Sequence, residues 1–275
     1  MYEPFASKKN MKKVTIKAFA KINLSLDILD KRDDGYHNLS SVFQAVSLYD
    51  VLGIKKTKTG FALTGTLVCD ISDNLITKAH REIERYTKKK LPCQIHLIKA
   101  MPTAAGVGGG SSDAGAILVG LNKLFNLKLT KRELVEIALR IGSDVPYFVS
   151  GFGRAKVEGR GGVVKRGSGN PANFYILARP HKRISTKEVF KKHEETGSSF
   201  LSIARGMCPN IKKLIKHFEK SSKKIGMSGS GPTVFAGYSS YAKAKKAMED
   251  YGVMRFDGDF FIVSPEKHPN ELVDF

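Results

Sequence analysis

Val14, Ile16 and Ala18 alternate with other residues, and Ile22, Leu24, Leu26 and Ile28 continue the alternation. A period of two puts such side chains on one face of an extended chain, so the pattern predicts strand. Asp33-Asp34-Gly35 is a turn signal, and residues 36–49 read as a second strand, which makes a hairpin. The period then changes. Ile76, Ala79, Ile83 and Tyr86 recur at helical spacing behind Ser72 or Asp73, either of which can cap a helix. Residues 94–98 are a short strand. Ala114, Ile117, Leu118, Leu121, Leu124 and Phe125 form one apolar stripe of a helix. Thr130 and Glu133 fit a capping box for the next, whose apolar face is Leu134, Ile137, Ala138 and Ile141, with Gly142 as its stop.

Beyond residue 150 glycines at 151, 153, 159, 161, 162, 167 and 169 punctuate a loop-rich stretch with short strands. This predicts a boundary near 155, with domains 1–155 and 156–275. Residues 175–178, 233–237 and 260–263 read as strands. Ala244, Ala247, Met248 and Tyr251 mark a helix between the last two. Regular strand–helix–strand alternation is absent, which favours the α+β class over a doubly wound sheet.

Composition narrows the picture. The 275 residues, 41% of them hydrophobic, suit a folded protein with a proper core. Lys and Arg exceed Asp and Glu by 46 to 26, a charge of +20 that favours anionic ligands. The lysine pairs at 212–213, 223–224 and 245–246 are scattered rather than striped, so a specific nucleic-acid partner is not expected. No stretch approaches the ~20 apolar residues of a bilayer span, and no membrane partner is expected. Cys69, Cys93 and Cys208 have neither pairing nor zinc spacing and read as reduced thiols of a cytoplasmic protein. The histidines form no ligand pair, so no dedicated metal site is expected. Residues 1–10 precede Met11 and the first strand, and read as an extension or an alternative start.

Candidate chemistry concentrates in Pro102-Thr-Ala-Ala-Gly-Val-Gly-Gly-Gly-Ser-Ser-Asp113, which opens directly into the striped helix. Glycines let backbone N–H groups approach phosphate oxygens closely. The helix start adds unpaired N–H groups and the positive end of its dipole. Ser111 and Ser112 add hydroxyls. The spacing is neither Walker A nor GxGxxG.

This run resembles the second motif of the GHMP kinases, Pro-x-x-x-Gly-Leu/Val-Gly-Ser/Gly-Ser-Ser. Gly226-Met-Ser-Gly-Ser-Gly-Pro-Thr-Val-Phe235 is similar to the third motif of that family, and Phe19-Ala-Lys-Ile-Asn23 to the first. Lys31-Arg-Asp-Asp-Gly-Tyr-His-Asn-Leu39, Asp73-Asn-Leu75 and Ile141-Gly-Ser-Asp-Val-Pro146 resemble the branch whose acceptor is a cytidine-diphosphate derivative of methylerythritol, in non-mevalonate isoprenoid synthesis. The resemblance implies a β-α-β nucleotide-binding domain, a ferredoxin-like second domain, and a site in the cleft between them. It implies γ-phosphoryl transfer from ATP, with Mg²⁺, to the 2-hydroxyl of the acceptor; a monomer or weak homodimer is expected.

It also implies roles. Asp144 is the catalytic base and Lys21 its partner. Lys99, Pro102, Gly106, Val107, Gly108, Gly109, Gly110, Ser111 and Ser112 hold ATP. Gly229, Ser230 and Gly231 form a second glycine loop near the phosphates. Asn23, two residues past Lys21, shares its strand face and, with Tyr36, His37, Thr186 and Phe190, meets the acceptor. Position 190 equally suits a core phenylalanine. Two departures stand out. Gly115 replaces the usual alanine, at ~1 kcal/mol of helix propensity. Residues 156–162 follow their family pattern only loosely.

Overall fold

The computed structural model describes residues 11–31, 37–169, 171–182, 184–252 and 256–273. The alternating pattern does form a hairpin, β1 (Lys13–Lys31) with β2 (His37–Lys56). Register shifts near Phe19, Asn23 and Ile28 bend it. Its length lets β2 serve two neighbours on one edge: Leu39 to Gln44 pair with β5 (Arg154–Gly159), and Val51 to Lys56 pair with β4 (Cys93–Ile98). β3 (Phe61–Gly65) lies parallel to β4, and α1 (Leu75–Thr87) makes the crossover that a parallel pair needs. Asn74, rather than Ser72 or Asp73, caps α1, its Oδ1 accepting from Ile76 N at 3.0 Å.

α2 (Gly109–Leu124), α3 (Lys131–Leu139) and α4 (Val145–Val149) follow. The striped residues of α1 and α2, Ile76, Ile83, Ile117 and Leu121, bury against the inward-facing Ile16, Leu52, Ile54 and Ile95 of the sheet. The Thr130–Glu133 capping box is present. Gly115 has a packing reason: a Cβ there would lie 2.5 Å from the Cβ of Phe148, so the glycine lets α4 settle onto α2.

A second, antiparallel sheet has the order β10–β7–β9–β8. Its strands are β7 (Phe174–Pro180), β8 (Ile225–Met227), β9 (Val234–Tyr238) and β10 (Gly258–Val263). α5 (Thr186–Thr196), α6 (Phe200–Met207) and α7 (Pro209–Phe218) join β7 to β8, and α8 (Tyr241–Tyr251) joins β9 to β10. This order is the ferredoxin-like β-α-β-β-α-β arrangement.

The expected division at 155 cuts β5. That strand and β6 (Val163–Arg166) stay hydrogen-bonded to the first sheet, and β11 (Asn270–Val273) returns to pair with β1. The change in texture marks a glycine-turned edge hairpin, and the chain passes to the second sheet only after Arg166.

Candidate active site

The glycine loop runs into α2, where Gly108 is the N-cap at φ +76° and Gly106 stands at φ +78°. The first turn is built by steric necessity at these two positions. A Cβ on Gly106 would run into the Ser228 carbonyl oxygen, and one on Gly108 would lie 3.0 Å from Phe148 Cζ and 3.1 Å from Lys21 Cε. The helical ladder begins with Ser112 N donating to Gly108 O at 2.8 Å. The N–H groups of Gly109, Gly110 and Ser111 precede that bond and have no carbonyl within the helix to receive them. They border a groove of about 350 Å³ whose other walls include Val68, Asn74, Leu75 and Leu97. Pro102, Gly106, Val107, Gly108, Gly109, Gly110 and Ser111 all line it. Ser112 does not. It is buried, and its hydroxyl donates to Phe19 O at 2.7 Å, which fastens α2 to β1.

Lys21 and Asp144 converge beside this loop. Lys21 Nζ lies 3.3 Å from Asp144 Oδ2, with side-chain exposures of 4% and 34%. The lysine is held from several sides. Its N–H donates to Val107 O at 2.9 Å, its Nζ donates to Asn23 Oδ1 at 2.7 Å, and the ammonium sits 4.5 Å from the centre of the Phe43 ring. Asp144 is the residue before α4, yet its side chain makes no capping hydrogen bond. Its carboxylate therefore faces Lys21 and solvent, one charge buried and the other accessible.

Asn23 shares the strand face with Lys21 but is engaged by the protein. Its Oδ1 also accepts from Gly229 N at 2.8 Å, and its Nδ2 donates to Ser41 Oγ at 2.9 Å. It joins β1 to the second glycine loop rather than presenting a free amide to an acceptor. Ser228, which sequence reasoning passed over, adds a link across the same cleft by donating to Gly106 O at 2.9 Å. In that loop Gly229 and Gly231 have positive φ, and Ser230 Oγ lies 2.8 Å from Thr186 Oγ1. Phe190 is half-buried, edge-on to Phe200 at 4.8 Å, and packs on the core of the second sheet. Tyr36 and the side chain of His37 lie outside the described residues.

Lys99 lines the groove as well, but its ammonium is engaged by the protein. Its Nζ is bound at 2.5 Å to Asp50 Oδ2 and at 3.0 Å to Asp113 Oδ2. Asp50 accepts in addition from Ala100 N (2.6 Å) and Met101 N (2.8 Å). This buried cluster ties both ends of the glycine loop to β2 while Lys99 remains among the residues that line the groove. Asp50 and Asp113 carried no signal in the sequence beyond their place beside the motifs. Burial works against the ammonium of Lys99, but Asp113 and Asp50 together hold it above its ordinary value. Burial pushes the Asp113 carboxyl up from 3.8 to about 7, against the pull of Lys99.

That shift has a sign. Across the window from its ordinary value to about pH 7, the folded chain keeps this proton and the unfolded chain loses it. The contribution of Asp113 to stability therefore falls as pH rises through the window. Asp113→Asn has no such proton. Between about pH 4 and about pH 8 the wild type should lose melting temperature relative to Asp113→Asn, as read by thermal scans across a pH series. Parallel curves for the two proteins would refute the burial argument.

The chain matches the GHMP kinases N terminal domain over residues 74–152 and the GHMP kinases C terminal domain over 188–252. A 4-diphosphocytidyl-2-C-methyl-D-erythritol kinase of Caldanaerobacter subterraneus subsp. tengcongensis is 37% identical, over 86% of this chain and 92% of the relative. One from Clostridium botulinum is 34% identical, over 85% and 94%. Among solved structures, a 4-(cytidine 5'-diphospho)-2C-methyl-D-erythritol kinase superposes with a TM-score of 0.75 at 24% identity, over 91% of this chain and 99% of that one. A homoserine kinase from Cytophaga hutchinsonii gives 0.73 at 15% identity, over 99% of both chains. At those identities the superpositions speak for the fold, and the sequence relatives carry the family: this chain belongs to the GHMP kinases, in the family of the 4-diphosphocytidyl-2-C-methyl-D-erythritol kinases.

Proposed function

We propose that this chain transfers the γ-phosphoryl group of ATP to the 2-hydroxyl of 4-diphosphocytidyl-2-C-methyl-D-erythritol, giving the 2-phosphate and ADP. The observation that carries this reading is the 3.3 Å approach of Lys21 Nζ to Asp144 Oδ2 beside a helix-capping glycine loop. The N–H groups of Gly109, Gly110 and Ser111 receive the phosphates. The acceptor hydroxyl sits against the Asp144 carboxylate, beside the Lys21 ammonium. Its oxygen bonds to the γ-phosphorus as the bond from that phosphorus to the β–γ bridging oxygen breaks, and its proton passes to Asp144. Lys21 balances the carboxylate and the charge that develops on the transferring group.

Among the described residues no group of three or more His, Cys, Asp or Glu side chains is arranged to hold a metal. The residues present fit a magnesium ion that would arrive with the nucleotide, held mainly by phosphate and water oxygens, for which the Ser111 hydroxyl would be the nearby protein oxygen. When bound, such an ion would supply positive charge that offsets the charge of the phosphates. The three cysteines are unpaired, which suits a reducing compartment such as the cytoplasm. No described helix is long and apolar enough to cross a membrane.

The test is direct. Purified protein with Mg-ATP and each candidate acceptor should release ADP with the cytidylyl substrate and not with mevalonate or homoserine. Turnover with either of those alone would overturn the assignment. His37 and Tyr36 are proposed to hold the cytidine end. His37→Ala should raise KM for the cytidylyl substrate about 10-fold, the equivalent of one hydrogen bond of about 1.4 kcal/mol, and leave KM for ATP unchanged. Steady-state kinetics with each substrate varied in turn would read both constants.

A further inference from the structure

After β10 the chain leaves the second sheet and crosses back over the first. Ser47 N donates to Ser264 O at 2.9 Å and Glu266 N to Ala45 O at 2.8 Å, which fixes the crossing to β2. Gly153 N donates to Lys267 O at 2.8 Å, in the turn just past α4. A side chain at Gly153 would collide with the Glu266 carbonyl, so the glycine admits the crossing segment. Phe19 N then donates to Pro269 O at 3.1 Å, two residues before Lys21, and residues 270–273 pair with β1. The segment thus braces the strand that carries Lys21.

One side chain in it reaches the other half of the site. Asn270 Nδ2 donates to Phe148 O at 2.7 Å. Phe148 is in α4, the five-residue helix whose N-cap is Asp144. So short a helix has few hydrogen bonds of its own, and its last carbonyls need outside donors. The backbone of Asn270 is registered against Ala18 of β1, while its amide holds the far end of α4. One residue therefore spans the two elements that must be correctly spaced for Lys21 to meet Asp144. Through Phe148, whose ring lies against Gly108, the same contact reaches the phosphate seat.

We infer that Asn270 is a positioning residue for phosphoryl transfer, and that its amide bond to Phe148 O sets the placement of Asp144 against Lys21. The inference rests on the proposed Lys21–Asp144 couple. A displacement of about 1 Å at reacting groups can cost about 100-fold in rate, so a partial loosening should cost less than that.

The experiment measures kcat and both KM values for Asn270→Ala, Asn270→Asp and Glu271→Ala in the full chain. Glu271 neighbours Asn270 on β11 but pairs with Lys17 at the surface, and serves as a control for the strand. Asn270→Ala and Asn270→Asp, which both lose the donor, should lower kcat about 10-fold with each KM within about twofold. Glu271→Ala should keep wild-type kcat. Asn270→Asp keeps the size of the side chain, so it supplies the measurement if the alanine variant does not fold. The decisive readout is a cycle with Asp144→Asn. If Asn270 acts through Asp144, adding Asn270→Ala to Asp144→Asn lowers the residual rate by less than about twofold. A full 10-fold loss in that background, or wild-type kcat in a folded Asn270→Ala protein, overturns the inference. Failure of the underlying reading looks different: Asp144→Asn alone would turn over normally, and both would fall together.

Discussion

Asp144→Asn should lower kcat by about 1,000-fold and leave the affinity for ATP within about threefold. The size follows from general base catalysis, which contributes about 10²–10⁴. The selectivity follows from the structure. Asp144 caps nothing with its side chain, and its carboxylate is 34% exposed. The isosteric amide can therefore sit in the same place without unfolding α4. The nucleotide groove is bordered by the glycine loop, Val68, Asn74, Leu75 and Leu97, and Asp144 is not among its walls. Single-turnover rates give the chemical step, and nucleotide titration gives the affinity. Near-normal turnover would remove Asp144 as the base. A large loss of ATP affinity would place it instead in the nucleotide site. Because the transition state is largely dissociative, a loss nearer 10² would mean that Asp144 orients the hydroxyl more than it takes its proton.

The parts of this site that could be read from the sequence are those written in contiguous residues. The alternation before Ile28, the stripe from Ala114 to Phe125 and the glycine run between Pro102 and Ser111 each encode one element, and each formed where expected. Asp144 and Lys21 became visible only through the family's motifs. Nothing in their local surroundings separates a base from a turn residue, or a buried ammonium from a solvated lysine. The cytidine end is less complete, since Tyr36 and the His37 side chain lie outside the described residues and Phe190 packs on the second core.

What the sequence hid is long-range. Ser112 reads as a phosphate ligand until its hydroxyl is found on Phe19 O, across 93 positions of chain. Lys99 reads as a nucleotide ligand with no sign of its hydrogen bond to Asp50, 49 residues away. α5 has no legible stripe because it buries only Val189, and α4 is too short to show a period. The boundary expected near 155 falls inside β5 for the same reason. Glycine punctuation reports turns, whereas domain membership depends on which strand accepts the hydrogen bonds, and β2 is long enough to accept those of β5.

Gly106→Ala should weaken ATP binding by about 100-fold or more. The four glycines of the loop look equivalent in the sequence, but the backbone separates them. Gly106 has φ +78°, where an L-residue costs about 1–2 kcal/mol. Its Cβ would also meet two backbone oxygens, Ser228 O in collision and Gly231 O at 3.0 Å. Backbone cannot swing aside as a side chain can, and Ser228 is itself hydrogen-bonded to Gly106 O at 2.9 Å. The substitution must therefore shift the loop against the second sheet and carry the N–H seat with it. Each hydrogen bond to a charged phosphate is worth about 1.5–3 kcal/mol, so misplacing two of them accounts for about 100-fold or more. Gly110→Ala is the contrast. Its Cβ would meet only Leu75 Cδ1 at 3.5 Å, an ordinary contact, and alanine favours helix. It should change affinity less than about 10-fold. Nucleotide titration of both variants, with melting curves to establish folding, separates the two. Equal losses at the two positions would mean that phosphate needs bare backbone throughout the loop, and that the left-handed turn at Gly106 is not what sets the seat.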